Sequence, residues 1–535
     1  MMKKAIKKGI AALMAVSVLG TALTGCGDQK PEGQTAKDAS AFKADDEKEY
    51  TISWTGWFGA PVEEDAEMVK YWGDKFGVQF DIWNIDPSNY SETLGLKVAG
   101  GEVPDVLWTS ELSSFYKYGK DGILAPLNDE VLKQCAPELY AYYMGMEPNA
   151  FKYRSVNGTI YGIPSLSDPA RRPMVYRGDW LERLGVENLP DTLEEFEDLM
   201  YRFAREDPDG NGKDDTYGMS NSGLNAVYGA YGMADKYWIE RDGKLVYCSI
   251  QPEMKEALSL LNKWYADGVL DPEFIMDERQ TSGSNMSKPF VEGRIGFTAS
   301  GEDWHYKPKF EKGKEKNDWE GDNRKELRKL NPAAADSLRM GVPLTGPRGD
   351  KLIDQGNIVG VDNSTVGFGA QLKDEPDKLA KILSIINALG FTDRHNAVEA
   401  VNGIEGKHWK FDEEGRIEFL DPKYEKYTER AKIGAHTVFL SLKSMEWDKI
   451  GDEAFIQWQA DNKSFENGMR NQLKTILPSQ SRFGADLDKM VSETYIAIIT
   501  GDKPISYFDE FVDKWRKAGG DTLEKEANEW YASIK

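Results

Sequence analysis

The chain has 535 residues, 90 Asp plus Glu against 67 Lys plus Arg, a formal charge of -23 and three cysteines. The length calls for more than one core. The acidic balance argues against a nucleic-acid binder, which needs a basic excess to track phosphates, and the few cysteines exclude a disulfide-stapled miniature. With 40% hydrophobic and 29% charged residues the composition is that of a folded protein.

Residues 1–26 stand apart from the rest. Lys3, Lys4, Lys7 and Lys8 precede an uncharged run from Gly9 to Ala22, which ends in Leu23-Thr24-Gly25-Cys26. The run is shorter than the roughly 20 residues that span a bilayer and ends in small residues, the pattern of a secretory signal. Its last four residues resemble the bacterial lipobox, and that resemblance implies cleavage before Cys26, acylation of its sulfur and a lipid anchor on the outer face of the cytoplasmic membrane. Residues 26–49 are then the lipidated cysteine and a stalk without apolar periodicity. Removing residues 1–25 takes the 67 basic residues to 63 against 90 acidic ones, so the mature chain carries -27. Cys135 and Cys248 remain, and both a disulfide and two buried thiols are compatible with their spacing.

After the stalk, the sequence predicts a strand at Tyr50–Trp54, a helix over 61–76, a strand from Val78 to Ile85, a helix over 90–100 and a short buried strand at Asp105–Trp108. That alternation predicts an α/β layer with a parallel sheet and a ligand beyond the strand ends. Asn157-Gly158 and Asp242-Gly243 mark hairpin turns. Helices are predicted over 192–205 and 252–267, and strand character returns at 294–299. Residues 307–336 read as an exposed charged excursion, 375–390 as a helix, and the chain from about 420 onward as mainly helical.

The order of these segments resembles the extracellular solute-binding proteins of ABC importers, in particular the large carbohydrate-binding lipoproteins of Gram-positive bacteria. The resemblance is carried by the lipobox, Gly101-Glu102-Val103-Pro104-Asp105-Val106-Leu107-Trp108, Asn157-Gly158-Thr159-Ile160-Tyr161-Gly162-Ile163-Pro164 and Val291-Glu292-Gly293-Arg294-Ile295-Gly296-Phe297. Gly501-Asp502-Lys503-Pro504, Gly519-Gly520 and Glu526-Ala527-Asn528-Glu529-Trp530-Tyr531 complete it. It implies an α/β, two-lobe, periplasmic-binding-protein-like fold of type II with a hinge, a ligand cleft and a helix-rich C-terminal part. Lobe one is expected at 50–165 plus 338–392, and lobe two at 166–337 plus 393–535. The expected function is capture of an oligosaccharide and its delivery to ABC permease subunits by a monomer, without catalysis.

Asp207, Asp209, Asn211, Lys213 and Asp215 place oxygen ligands at every second position of a loop whose Gly212 permits a sharp bend, a spacing suited to calcium. The twelfth position is Gly218, where an EF-hand carries a bidentate Glu. The resemblance implies a structural calcium ion, with Thr216 where relatives often carry a further acid. An Asx-rich solvated turn is the alternative.

Fifteen Trp, 24 Tyr and 22 Phe supply faces on which sugar C–H groups stack, while carboxylates, amides and Arg pair with hydroxyls. The expected ligand residues are Trp54 and Trp57 beyond the first strand, Trp108 and Glu111 beyond the third, Asp303 and Trp304 after 294–299, and Trp447 and Arg482 in the helical tail. Trp72, Trp180, Trp264 and Trp515 fall in helical patterns and read as core. Arg171-Arg172 leave a uronate ligand open. A glycoside hydrolase is the rival reading, since paired carboxylates leave no signature among 90 acids, and a surface adhesin is a third. The four scattered histidines form no HExxH, and no phosphate loop or GxSxG elbow occurs.

Overall fold

The computed structural model describes residues 41–45, 47–167, 172–276, 287–310, 320–354, 360–413, 415–444, 447, 453–462 and 467–535. Cys26, the signal and most of the stalk lie outside the described residues.

The first lobe is built on a five-stranded mixed sheet. Strand β1 (Tyr50–Trp54), helix α1 (Glu67–Phe76), β2 (Val78–Ile82), helix α2 (Tyr90–Ala99), β3 (Val106–Thr109) and helix α3 (Leu112–Lys120) follow in chain order. Tyr50, Ile52 and Trp54 turn the buried face of β1 inward by simple alternation. Trp72 and Met68 do the same for α1, which ends where Gly77 takes a left-handed φ of 65°. β2 and β3 run parallel to β1. β4 (Gly162–Ser167) carries the chain toward the second lobe.

There, β5 (Met174–Tyr176) is the centre of a three-stranded antiparallel sheet. Helix α4 (Leu193–Arg205) is started by a Thr192–Glu195 capping box, and α5 (Pro252–Ala266) buries Met254, Leu258, Leu261 and Trp264. The short β6 (Phe297–Thr298) and β7 (Arg339–Gly341) pair with β5 on its two sides. The chain then returns as β8 (Gly360–Phe368), which inserts antiparallel between β3 and β4 to give the order β2-β1-β3-β8-β4. Helix α6 (Pro376–Asn387) follows, and α7 (Gln480–Ile499) and α8 (Asp521–Ile534) complete the helix-rich C-terminal part.

Two large cores result. One gathers Ile52, Trp72, Leu132, Phe368, Leu383 and also Ala435, Val438, Phe439 and Leu442. The other gathers Tyr176, Phe196, Leu258, Trp264, Val491 and Trp515. Residues 435–442 therefore pack with the first core, where the sequence grouping 393–535 had put them with the second, and β7 pairs within the second lobe although 338 onward was grouped with the first. Local patterning shows that such segments are apolar or extended but not which core receives them. A second difference lies at 307–336: outside 311–319, which are not described, Leu327, Ala334 and Ala335 are buried together with Lys307 and Asn323. The helix Asp322–Leu330 thus covers a small satellite core despite its charge.

Candidate functional site

A cavity of about 820 Å³ opens at the carboxyl ends of the first-lobe strands. Trp57 enters it from the loop after β1, Tyr90 and Glu92 from the first turn of α2, and Trp108, Ser110 and Glu111 from the end of β3. Ser165 of β4, Ser364 of β8 and Thr437 and Ser441 beyond them close the side nearest the lobe crossings.

The wall is held by its own polar contacts. Tyr90 sits edge-on to Trp108 at 5.2 Å, and its hydroxyl donates to the Trp108 carbonyl oxygen at 3.0 Å. Burial pushes the Tyr90 phenol above its ordinary range, so it stays a donor. Asp86 caps the turn before α2, accepting from the Ser88 hydroxyl at 2.6 Å and from its backbone N–H at 2.8 Å, and these bonds hold its carboxyl below the usual range. Thr437 donates to the Trp57 carbonyl at 2.8 Å, and Ser165 donates to that of Ser441 at 3.0 Å, tying the third crossing to the first. Trp57 is 43% exposed, an uncommon state for an indole and one suited to receiving a flat apolar face.

Trp57, Trp108 and Glu111 are thus brought together. Trp54 is not: it is 1% exposed and edge-on to Phe80 and Phe439, because it shares the inward face of β1 with Ile52. Asp303 is a second correction. It lies in a 3₁₀ turn at Asp303–Tyr306, is 2% exposed and accepts from Gln459 Nε2 at 2.8 Å. Trp304 is half-buried against His305, with its indole N–H on Glu302. Trp447 is half-buried, and its backbone N–H donates to the Ser444 carbonyl. Arg482 is exposed on α7, its guanidinium over the Phe483 ring. None of these five lines the cavity. Sequence reasoning missed Tyr90, Glu92 and the serines. The one signal was Pro87-Ser88-Asn89-Tyr90-Ser91, a turn running into a helix start just after β2.

The acidic loop follows α4. Asp207 takes φ 49°, and Gly210 and Gly212 take 71° and 76°. Asn211 lies at its centre: its backbone N–H donates to Asp207 at 3.0 Å and to Asp209 at 3.2 Å, and its Nδ2 donates to Asp209 at 2.7 Å and to Asp215 at 3.1 Å. Lys213 N–H donates to Asn211 Oδ1 at 2.7 Å. Burial, with Asp207 and Asp215 adding to it, raises the Asp209 carboxyl above its ordinary range. Among the described residues no group of three or more His, Cys, Asp or Glu side chains is arranged to hold a metal ion. Nor is any described helix long and apolar enough to cross a membrane.

No family model matches the chain. Curated relatives include lipoprotein LipO of Bacillus subtilis, 25% identical over 489 residues and 88% of each chain, and the polygalacturonan/rhamnogalacturonan-binding protein YtcQ of the same species, 21% identical over 98% of each. Among solved structures, a solute-binding protein of Bifidobacterium longum infantis described as HMO-binding superposes with a TM-score of 0.65 at 14% identity, over 90% of this chain and 98% of that one. The alginate-binding protein AlgQ2 without calcium ion gives 0.60 at 17%, over 92% and 99%. An EF-hand mutant of the substrate-binding protein FusA of Streptococcus pneumoniae gives 0.58 at 17%, over 91% and 98%. The chain thus shares its fold with these solute-binding proteins and is similar along nearly its whole length to the two Bacillus subtilis proteins.

Proposed function

We propose that the protein is a lipid-anchored receptor that holds an oligosaccharide between its lobes and hands it to ABC permease subunits without chemical change. The observation that carries this is the 820 Å³ cavity, in which exposed Trp57 and half-buried Trp108 stand among Glu111, Glu92 and a row of serine hydroxyls. Indole faces take the C–H side of a sugar, and the hydroxyls and carboxylates take its O–H groups. Relatives named for fructooligosaccharide and polygalacturonan, and the structural neighbour named for HMO, support a glycan as cargo.

The lobes follow the cores: 41–167 with 360–444 form the first, and 172–354 with 467–533 the second. Closure of one on the other then signals occupancy to the permease. Cys26 supplies the anchor, on the lipobox pattern and the lipoprotein relative. Asp207, Asp209, Asn211, Asp215 and the Lys213 carbonyl are proposed to hold calcium. A half-turn of the Asn211 amide exchanges its Nδ2 for Oδ1 and presents an oxygen where the carboxylates converge. Bound there, calcium offsets most of the negative charge of the loop and braces the end of α4.

Thermal-shift measurements on the purified chain with neutral and acidic oligosaccharides test the central claim. A rise in Tm with at least one glycan and no cleavage of it is expected. Turnover of a glycan, or no shift with any, would overturn it.

A further inference from the structure

A second cavity, of about 230 Å³, opens beside the first. Its one first-lobe residue is Leu112, the neighbour of Glu111 in the larger cavity, so the two spaces flank the same turn at the start of α3. All its other lining residues belong to the second lobe. One wall is aromatic: Trp238 packs on Tyr247 at 5.0 Å, and Tyr247 stacks on Trp515 at 5.0 Å and 11°.

Leu112, Leu473, Ile476, Leu487 and Leu523 add aliphatic surface, and the polar groups among them have hydrogen-bonding capacity to spare. Asn471 spends its carbonyl oxygen on the N–H groups of Trp238 and Leu473, both at 3.1 Å, which fixes the amide with Nδ2 turned the other way. Trp515 is 1% exposed and closes the inner end of the aromatic wall.

The charge of the lining selects further. Lys236 is already engaged, its Nζ 3.7 Å from Asp235 and donating to Ser492 at 2.9 Å. Asp488 adds a second carboxylate, which accepts from Tyr247 at 3.3 Å. The larger cavity carries Glu92 and Glu111 and neither Lys nor Arg among its lining residues. An anionic sugar would meet the two carboxylates of the larger cavity with no cation in the same lining, whereas hydroxyls find both donors and acceptors in the two cavities.

We propose that the small cavity is an end subsite of the cleft, taking one uncharged terminal sugar ring, with hydroxyls on Asn471 and Gln480, and that the cargo is therefore a neutral oligosaccharide and not a uronate. This rests on the oligosaccharide reading above. The volume has room for one ring and little more.

Isothermal titration of the purified full chain, with neutral gluco-, xylo- and fructo-oligosaccharides and with oligogalacturonates of matched length, tests it. A neutral glycan is expected to bind and the oligogalacturonates to give no heat. Gln480→Ala is expected to weaken the neutral glycan about tenfold, the scale of one lost hydrogen bond. Leu112→Trp, which fills the cavity from the opposite lobe, is expected to abolish binding. Unchanged melting curves verify that each variant folds, and Gln480→Ala decides alone if Leu112→Trp does not. Neutral-glycan affinity that survives Gln480→Ala and Leu112→Trp but falls in Trp57→Ala would overturn the subsite and keep the glycan receptor. Tighter binding of oligogalacturonate than of any neutral glycan would overturn the charge selection. Heat from neither class would overturn the receptor reading itself.

Discussion

Both lobes bury tryptophans, Trp54 and Trp72 in the first among them, but only the first also sets two of them on the wall of the large cavity. In the first, β1 and β3 end at the cavity, and Trp57 and Trp108 follow or close those strands with their rings on its wall. In the second, Trp180, Trp264 and Trp515 all lie on helices and are at most 1% exposed. Strand ends leave side chains beyond the sheet with no layer above them, whereas an amphipathic helix drives its apolar stripe into the core. In the proposed reading the first lobe offers an exposed aromatic face to a guest, and the second offers the buried aromatic wall and the polar groups of one small cavity. The sharpest way to break this contrast is truncation. Trp264→Ala is expected to cost about 3–5 kcal/mol in urea unfolding, as for other large buried side chains. Trp57→Ala is expected to stay within about 0.5 kcal/mol of the parent. Similar losses for both would mean that Trp57 is structural.

The next effect belongs to the second lobe alone. If calcium holds the 207–215 loop, its removal by EDTA should lower stability by about 2–3 kcal/mol, the linkage expected when the ion stands at a hundredfold excess over its Kd. The Asp209→Asn variant should lose the calcium response while melting near the EDTA-treated parent. No change in Tm with EDTA would leave the loop as the Asn211-centred turn drawn by its hydrogen bonds.

Acid should also act more on the second lobe. Burial lowers the His305 pKa from 6.5 to about 4. Between those values the unfolded chain binds a proton that the folded chain refuses, so this contribution is full above about pH 6.5 and is lost as pH falls toward 4. It is on the order of 3 kcal/mol. His408, on the first-lobe side, is also lowered by burial, but Glu67 opposes the shift. Urea midpoints between pH 7 and pH 4 should therefore flatten more in His305→Phe than in His408→Phe, and the reverse order would contradict the contrast.

The unequal legibility of the two lobes has the same physical root. Local signals were enough where a feature depends on neighbours in sequence. Asn157-Gly158 and Asp242-Gly243 take the positive φ values that their hairpins need, and the capping box of α4 joins residues three apart. The inward position of Trp54 was legible too, from the alternation of Tyr50, Ile52 and Trp54. Helix 61–76 begins only at Glu67, because Glu63 N–H bonds to the Lys432 carbonyl, a partner far along the chain. Asp303 is buried by Gln459, which is 156 residues away. The cleft serines and the packing of 435–442 on the first core likewise depend on where the chain recrosses, and no local pattern records that.

For the cleft itself, Trp57→Ala and Trp108→Ala are each expected to weaken the identified glycan about tenfold, near 1.4 kcal/mol. Trp304→Ala and Arg482→Ala, which lie outside the cavity lining, should leave affinity within about twofold, a change of less than 0.5 kcal/mol. If the second pair matters as much as the first, the aromatic wall is shared between the lobes.

The smallest expected effect is none at all. Cys135 is buried in the first core, where its thiol lies 3.6 Å from the Phe42 carbonyl, and Cys248 is buried in the second; both are free thiols. Burial pushes each up to about 11, so the reactive thiolate is scarce at neutral pH. Dithiothreitol is expected to leave Tm unchanged, and a thiol reagent to label the two sites only as fast as each lobe opens. A fall in Tm on reduction would reveal a bond joining the lobes and would sink the contrast at its base, because closure requires the lobes to move against each other. What links them instead is the backbone that recrosses between them and α8, which packs Leu523 and Ala527 into the second core and Ile534 into the first. Labelling rates that differ between Cys135 and Cys248 would then measure how independently the two lobes open.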